Sequence, residues 1–222
     1  MQQGRRGSYA KGIAKREEIL GRALEVIARE GYRGASVKEL ADAVGLSQAG
    51  LLHYFDSKEE LFTEILRKRD EVDMATYGKG LDEAPQPGRL RDGYLQIIRH
   101  NSDVPGLVEL YSRMSVEAAD PQHPAHSFFL ERGRNLRAVF AAELASSLAS
   151  GELTDRVDPD TLARIFQAVA DGLQLQWMLE PELDMAAIVE QLFDALSARR
   201  PGARSDQERA AETEERATGD NA

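Results

Sequence analysis

Residues 36–55, SVKELADAVGLSQAGLLHYF, constrain the fold more than any other stretch of this 222-residue chain. Ser36 suits a helix N-cap, because its hydroxyl can accept a bond from a first-turn backbone N–H that has no helical partner. Glu39 follows three residues later and can return a bond to the Ser36 N–H, the reciprocal arrangement of a capping box. Leu40, Ala41 and Val44 recur at helical spacing and share a face. Gly45 stops the helix, since glycine takes a positive φ without steric penalty, and Leu46 can bury itself under the turn. Ser47 caps a second short helix over residues 48–55, with Leu51 and Phe55 turned to the core. Two short helices around a glycine turn form a helix-turn-helix, the unit that sets its second helix in the major groove of DNA.

The chemistry of the second helix fits that placement. Its N-terminal residues, Ser47, Gln48, Ala49 and Gly50, should face base edges. A glutamine amide can pair with both polar edge atoms of an adenine, and an alanine methyl can touch the methyl of a thymine. Glycine inside a short helix costs about 1 kcal/mol, which a close approach of backbone to DNA would explain at Gly50. Ser36, Val37 and Lys38 open the preceding helix, where backbone N–H groups can hold phosphate. Lys58 begins the helix that follows, where its charge and the unpaired N–H groups both favour phosphate.

The segment GYRGASVKELADAVGLSQAGLLHYFDSKEELFTEIL, residues 31–66, resembles the tetracycline-repressor family of bacterial transcription regulators. The likeness lies in the helix-turn-helix, the aromatic pair Tyr54 and Phe55, Lys58 and the helix after it. It implies that the aromatic-rich end of the second helix, with His53 and Tyr54, clamps the DNA backbone. It also implies a helical second domain that encloses a small-molecule effector, and repression as the default mode of action. Beyond residue 75 no motif matches position by position.

Net charge is −10, the wrong sign for a DNA-binding protein as a whole, but the charge is unevenly distributed. Residues 1–72 hold 13 basic and 12 acidic residues, whereas residues 73–222 hold 15 and 26. The first 16 residues carry Arg5, Arg6, Lys11, Lys15 and Arg16 and no acid. Phosphate binding depends on local basic charge rather than the chain total. The chain has no cysteine, so disulfides and thiolate chemistry are excluded and a cytoplasmic setting is expected. No apolar run reaches the roughly 20 residues that span a bilayer, and the basic start lacks the apolar core of a secretory signal.

Apolar residues recur at helical spacing along the chain, so the expected fold is all-α. A basic, disordered arm is expected over residues 1–13. A DNA-binding domain spans residues 14–76: a first helix from residue 14 with the stripe Ile19, Leu20, Ala23, Leu24 and Ile27, the helix-turn-helix, and a linking helix capped by Ser57 with Glu60 as a second capping box. Residues 78–88, with Pro85 and Pro87, mark a break. Residues 77–200 form a second helical domain, and the polar residues 201–222 a disordered tail.

One helix-turn-helix touches few base pairs, so tight operator binding requires two of them, about 34–36 Å apart on a twofold. A homodimer is therefore expected. The helix from Pro159 to Leu179 is apolar on more than one face, and with the last helix it could build a four-helix interface. The candidate interface residues are Phe166, Val169, Leu173, Leu192 and Leu196. In the chamber that the resemblance implies, the candidate lining residues are Phe62, Tyr94, Ile98, Tyr111, Met114, Phe129, Phe140 and Trp177. That mixture suits a hydrophobic or aromatic molecule.

No cofactor or metal is expected. His123 and His126 are three apart, but Pro124 and the loop setting do not preform a site, and no cysteine supports one. Phosphate-binding glycine loops, a Gly-x-Ser-x-Gly elbow and a His-Glu-x-x-His helix are all absent from the sequence, so no enzyme activity is expected. The competing expectation is an all-α dimeric small-molecule carrier or scaffold whose helix-turn-helix does not bind DNA.

Overall fold

A computed structural model describes residues 3–32, 34–78 and 88–197, with side chains from residue 10 onward. The described residues form helices α1 (Gln3–Glu30), α2 (Val37–Ala43), α3 (Gln48–Leu52), α4 (Lys58–Tyr77), α5 (Arg89–Asp103), α6 (Pro105–Glu117), α7 (His126–Ala149), α8 (Pro159–Leu179) and α9 (Met185–Leu196). Among them there is no strand, beyond an isolated antiparallel bridge that pairs Leu153 with Ser197. The all-α expectation holds. The disordered arm does not hold as drawn, because α1 begins at Gln3 rather than at residue 14. Once the Ile19–Ile27 stripe is docked, extending the same helix toward its N-terminus needs no new nucleation, which is the costly step. The tail over residues 201–222 and most of the Pro85–Pro87 break lie outside the described residues.

Side-chain caps mark where α8 and α9 start. Asp158 accepts from the Thr161 N–H at 2.9 Å ahead of Pro159, and Asp184 accepts from the Ala187 N–H at 2.9 Å. Each satisfies a first-turn donor that the helix itself leaves unpaired. Proline at the first position of α6 and α8 removes an N–H that would have had no partner there.

Two apolar cores hold the chain together, and they do not divide at the linking helix. The first joins Ile19, Ile27, Leu40, Leu51, Phe55 and Ile65 to Leu107, Leu110 and Met114 of α6 and to Phe128 at the start of α7. The second gathers Leu95, Ile98, Leu144, Leu162, Phe166, Val189 and Phe193 from α5, α7, α8 and α9. The head bearing α2 and α3 thus shares its core with α6, and a displacement of α6 bears directly on it.

Polar links tie α4 to the helices behind it. Arg132 of α7 makes a two-pronged ion pair with Asp70, at 2.7 and 2.8 Å, and stacks over the Tyr111 ring at 4.8 Å. The Tyr111 hydroxyl in turn donates to Asp171 of α8 at 3.2 Å. Buried Arg69 donates to the Asn101 side chain and to the Leu107 carbonyl, and faces Asp73 at 3.4 Å. Buried charge is tolerated only when paired, so these contacts fix the register of α4 against α5, α6 and α7.

Candidate DNA-binding interface

Ser36 and Glu39 form the reciprocal capping box: the Glu39 N–H donates to Ser36 Oγ at 3.3 Å and the Ser36 N–H donates to Glu39 Oε2 at 2.8 Å. These bonds hold the Glu39 carboxyl below its usual range, led by the Ser36 contacts. They also correct one expectation, since the Ser36 N–H is already engaged and is not available to a phosphate. Val37 is half-buried against the core, whereas Ser36 and Lys38 stand in solvent. Gly45 has φ 69° and makes the turn. Leu46 is half-buried beneath it.

Ser47 caps α3 by accepting from the Gly50 N–H at 3.0 Å. The helix is shorter than expected, ending at Leu52, and residues 53–57 continue as a turn. Leu51 and Phe55 are fully buried on its inner side, while Ser47, Gln48, Ala49 and His53 stand exposed on the other. Tyr54 is half-buried, and its ring meets that of His53 edge-on. Lys58 is exposed at the start of α4 with its ammonium 5.4 Å from the Phe62 ring. A Cβ on Gly50 would lie 3.2 Å from the capping Ser47 Oγ, a tight contact, and 3.7 Å from Leu46 Cβ, an ordinary one.

Ser57 caps α4 by accepting from the Glu60 N–H at 2.9 Å, but Glu60 does not close the expected box. Its carboxylate accepts from the Asp56 N–H, one residue earlier, and from Arg16 at 2.8 Å. Arg16 is the residue that the charge count hides. In the sequence it is counted only as one of five basic residues near the N-terminus, yet its guanidinium donates to the Tyr54 carbonyl, pairs with Glu60, reaches Glu64 at 3.6 Å and stacks over the Phe55 ring at 4.3 Å. The available signal is spacing, because positions 16, 19, 20 and 23 lie on one helical face.

The candidate effector residues do not come together in one chamber. Phe62, Tyr111, Met114 and Phe129 belong to the first core, and Tyr94, Ile98, Phe140 and Trp177 to the second. Phe62, Ile98 and Met114 are buried packing residues. Tyr111, Phe129, Phe140, Tyr94 and Trp177 are half-buried. The Tyr94 hydroxyl donates to the Phe166 carbonyl at 2.7 Å. Burial raises both tyrosines, Tyr111 to about 12, so both hydroxyls stay protonated donors at neutral pH. A cleft of about 530 Å³ lies elsewhere, lined by Leu90, Arg91, Ser147, Glu152 and Phe193 among others, and none of the eight candidates borders it.

The dimer candidates need a similar correction. Phe166 and Leu173 are buried in the protomer's own second core, and Val169, Leu192 and Leu196 pack against it half-buried. The large apolar residues that α8 and α9 leave exposed are Ile165, Leu175, Leu179 and Ile188. As for the histidines, His126 Nδ1 contacts the Ala118 carbonyl at 2.8 Å and His123 Nδ1 accepts from the Ala125 N–H at 3.2 Å, so both brace the loop before α7.

A capped helix-turn-helix presented on the outside of a head, with a helical body behind it, defines a helix-turn-helix DNA-binding transcriptional regulator. Residues 19–65 match the family described as bacterial regulatory proteins, tetR family, and residues 123–201 match the C-terminal region of BetI-type transcriptional repressors; the chain belongs to the tetR family. It is similar to the HTH-type transcriptional regulator TcmR of Streptomyces glaucescens, 26% identical over 206 residues that cover 84% of this chain and 83% of that protein. The HTH-type transcriptional repressor KstR2 of Rhodococcus jostii is 30% identical over 125 residues, 56% of this chain and 52% of that one. The fold matches the solved ketosteroid transcriptional regulator KstR2 of Mycobacterium tuberculosis with a TM-score of 0.59 at 22% identity, over 83% of this chain and 95% of that one.

Proposed function

We propose that the protein is a dimeric repressor that holds a palindromic operator through two copies of α3 and leaves it when a small molecule binds among the helices behind the head. The observation that carries this reading is the two-sidedness of α3: Leu51 is sealed in the core while Gln48 and Ala49 are presented to solvent. Gln48 reads a base edge, Ala49 meets a thymine methyl, and Lys38, His53, Tyr54 and Lys58 contact phosphates around them. Half-sites then sit about 34–36 Å apart.

The dimer forms through the outward faces of α8 and α9, with Ile165, Leu175, Leu179 and Ile188 as its apolar contacts. Leu179 is 83% exposed in the single chain. Gly172 lies on the same side of α8 as Leu175, and a Cβ built there meets nothing within 4 Å, which leaves room for a facing helix.

The effector is a small hydrophobic or aromatic molecule that displaces the half-buried rings of Tyr111 and Phe129, which pack together against the first core. Its effect on DNA follows from its preference for one of two arrangements of α4 and α6. The test is selection of duplexes from a random-sequence library by the full-length protein. A twofold-symmetric consensus with salt-dependent affinity supports the reading, and failure to enrich any sequence overturns it. Ligand-induced melting shifts across a metabolite library would then identify the effector, because a ligand of the folded state raises its apparent stability.

A further inference from the structure

We propose that Arg16 and Glu60 form a clamp that sets the angle of α3, making both positioning residues for sequence-specific DNA recognition although neither reads a base. The inference rests on the assignment of α3 as the DNA-reading helix. α3 has only five residues, Gln48–Leu52, and the chain behind it is a turn with little helical hydrogen bonding of its own. A helix so short does not hold its direction by itself. Its start is fixed by the Ser47 cap. Its end is fixed from outside.

Four contacts made by one guanidinium do this. Arg16 reaches from α1 to donate to the Tyr54 carbonyl, just past the end of α3. It lies over the Phe55 ring at 4.3 Å, and it pairs with Glu60 at 2.8 Å and Glu64 at 3.6 Å on α4. Glu60 completes the closure by accepting from the Asp56 N–H, in the turn itself. α1, α4 and the turn that follows α3 meet at one point, immediately behind the reading helix. A planar guanidinium can serve a carbonyl, a carboxylate and an aromatic face together, which an ammonium cannot do in the same geometry. Burial pushes the Glu60 carboxyl up, but the bonds from Arg16 and the Asp56 N–H outweigh it and hold it below its usual range. The acid is therefore ionised at neutral pH, in a head that must approach phosphate.

The ionised Glu60 carboxylate gives the test its sign. Removing an acid from a DNA-facing head should tighten binding to all sequences if charge alone matters. A clamp demands the opposite for the specific site. The experiment compares full-length wild type, Glu60→Gln, Arg16→Gln, Arg16→Lys and the Glu60→Gln/Arg16→Gln pair on two duplexes. One is the sequence that wild type selects from a random library, and the other is a scramble of equal length. The expected result is that Glu60→Gln weakens the selected duplex by about tenfold, the scale of one lost base contact. The scramble is held as tightly or more tightly. The salt slope on the selected duplex is unchanged, and the double variant is no worse than Arg16→Gln alone. Arg16→Lys, which keeps the charge and loses the fork, falls between wild type and Arg16→Gln.

Tighter binding of both duplexes by Glu60→Gln overturns the clamp. So does equal weakening of both by Arg16→Gln with a salt slope reduced by about one, since that marks Arg16 as a phosphate contact. Melting curves are taken for each variant, and Arg16→Lys carries the comparison if either glutamine variant is unfolded at the assay temperature. Should wild type select no duplex at all, the DNA-reading assignment fails first and the clamp with it.

Discussion

Gly106 sits against Gly31 with no room for a side chain between them. A Cβ built on Gly106 would fall 2.7 Å from the Gly31 Cα and 2.2 Å from the Ile27 carbonyl oxygen. Gly31 ends α1 with φ 78°, and its N–H donates to that same Ile27 carbonyl at 3.0 Å. The first turn of α6 therefore rests directly on the terminus of α1, backbone on backbone. Because the obstructing atoms are main chain, no rotamer change relieves the clash. Gly106→Ala is expected to lower stability by about 1–3 kcal/mol through overpacking. Urea unfolding followed by Trp177 fluorescence checks it; an unchanged midpoint would mean that α6 does not bear on α1.

Gln48 and Lys58 should fail differently. Gln48→Ala removes a base-edge contact and is expected to cost about 1–3 kcal/mol of discrimination at one base pair, with little change on nonspecific DNA. Lys58→Ala removes a phosphate contact, so it should weaken all sequences alike and reduce the salt slope by about 0.9. Titrations of selected and scrambled duplexes over a range of salt separate the two patterns. If both variants bind like the parent, the contact assignment is wrong even with the fold intact.

The head is legible in the sequence because its signals are local. Ser36 with Glu39, Gly45 and Ser47 each act within four residues, and the structure places every one as its chemistry dictates. Arg16 and Glu60 are different. Their bond joins positions 44 apart in sequence, and nothing in either neighbourhood names the other. The same holds for α8. Its broad apolar surface correctly signals two apolar sides, but periodicity does not say which side faces the protomer's own core. Leu173 and Leu175 are two residues apart on one helix, and the first is buried while the second is exposed. The effector residues suffer most, since a half-buried ring such as Phe140 and a buried one such as Phe62 look alike as letters.

Asp171 gives the fold a pH dependence. Burial raises its carboxyl above the ordinary 3.8, the Tyr111 bond and Arg132 opposing that shift only in part. Asp73 is raised for the same leading reason, against Arg69. A raised acid binds its proton more tightly in the folded chain than in the unfolded one. Its contribution to stability is complete below 3.8 and is lost as pH rises through the higher folded value. Asp171→Asn keeps an oxygen to accept from Tyr111 and abolishes the ionisation. It is expected to be more stable than wild type at neutral pH. The gap should shrink as pH falls toward 4, the edge of the ordinary carboxylate range. Chemical denaturation from pH 4 to pH 7 measures this; a gap that widens on acidification would reverse the sign and refute the assignment.

The two sides of α8 can be separated by mutation. Leu175 is 48% exposed, whereas Phe166 is wholly buried beside Phe193, with ring centroids 4.6 Å apart. A charge placed on the outward side has no reason to unfold a protomer, but it must be desolvated when two protomers meet. Leu175→Glu, alone or with Ile188→Glu, is therefore expected to give a folded monomer by sedimentation at micromolar concentration. Because a tight operator complex needs two heads at fixed spacing, that monomer should bind a half-site weakly and lose its advantage on the full palindrome. Phe166→Ala should do the reverse. It removes a core side chain at a cost of about 3–5 kcal/mol, so unfolding shifts while whatever remains folded at low temperature still pairs. If Leu175→Glu sediments as a dimer and Phe166→Ala as a stable monomer, the two faces of α8 have been assigned the wrong way round.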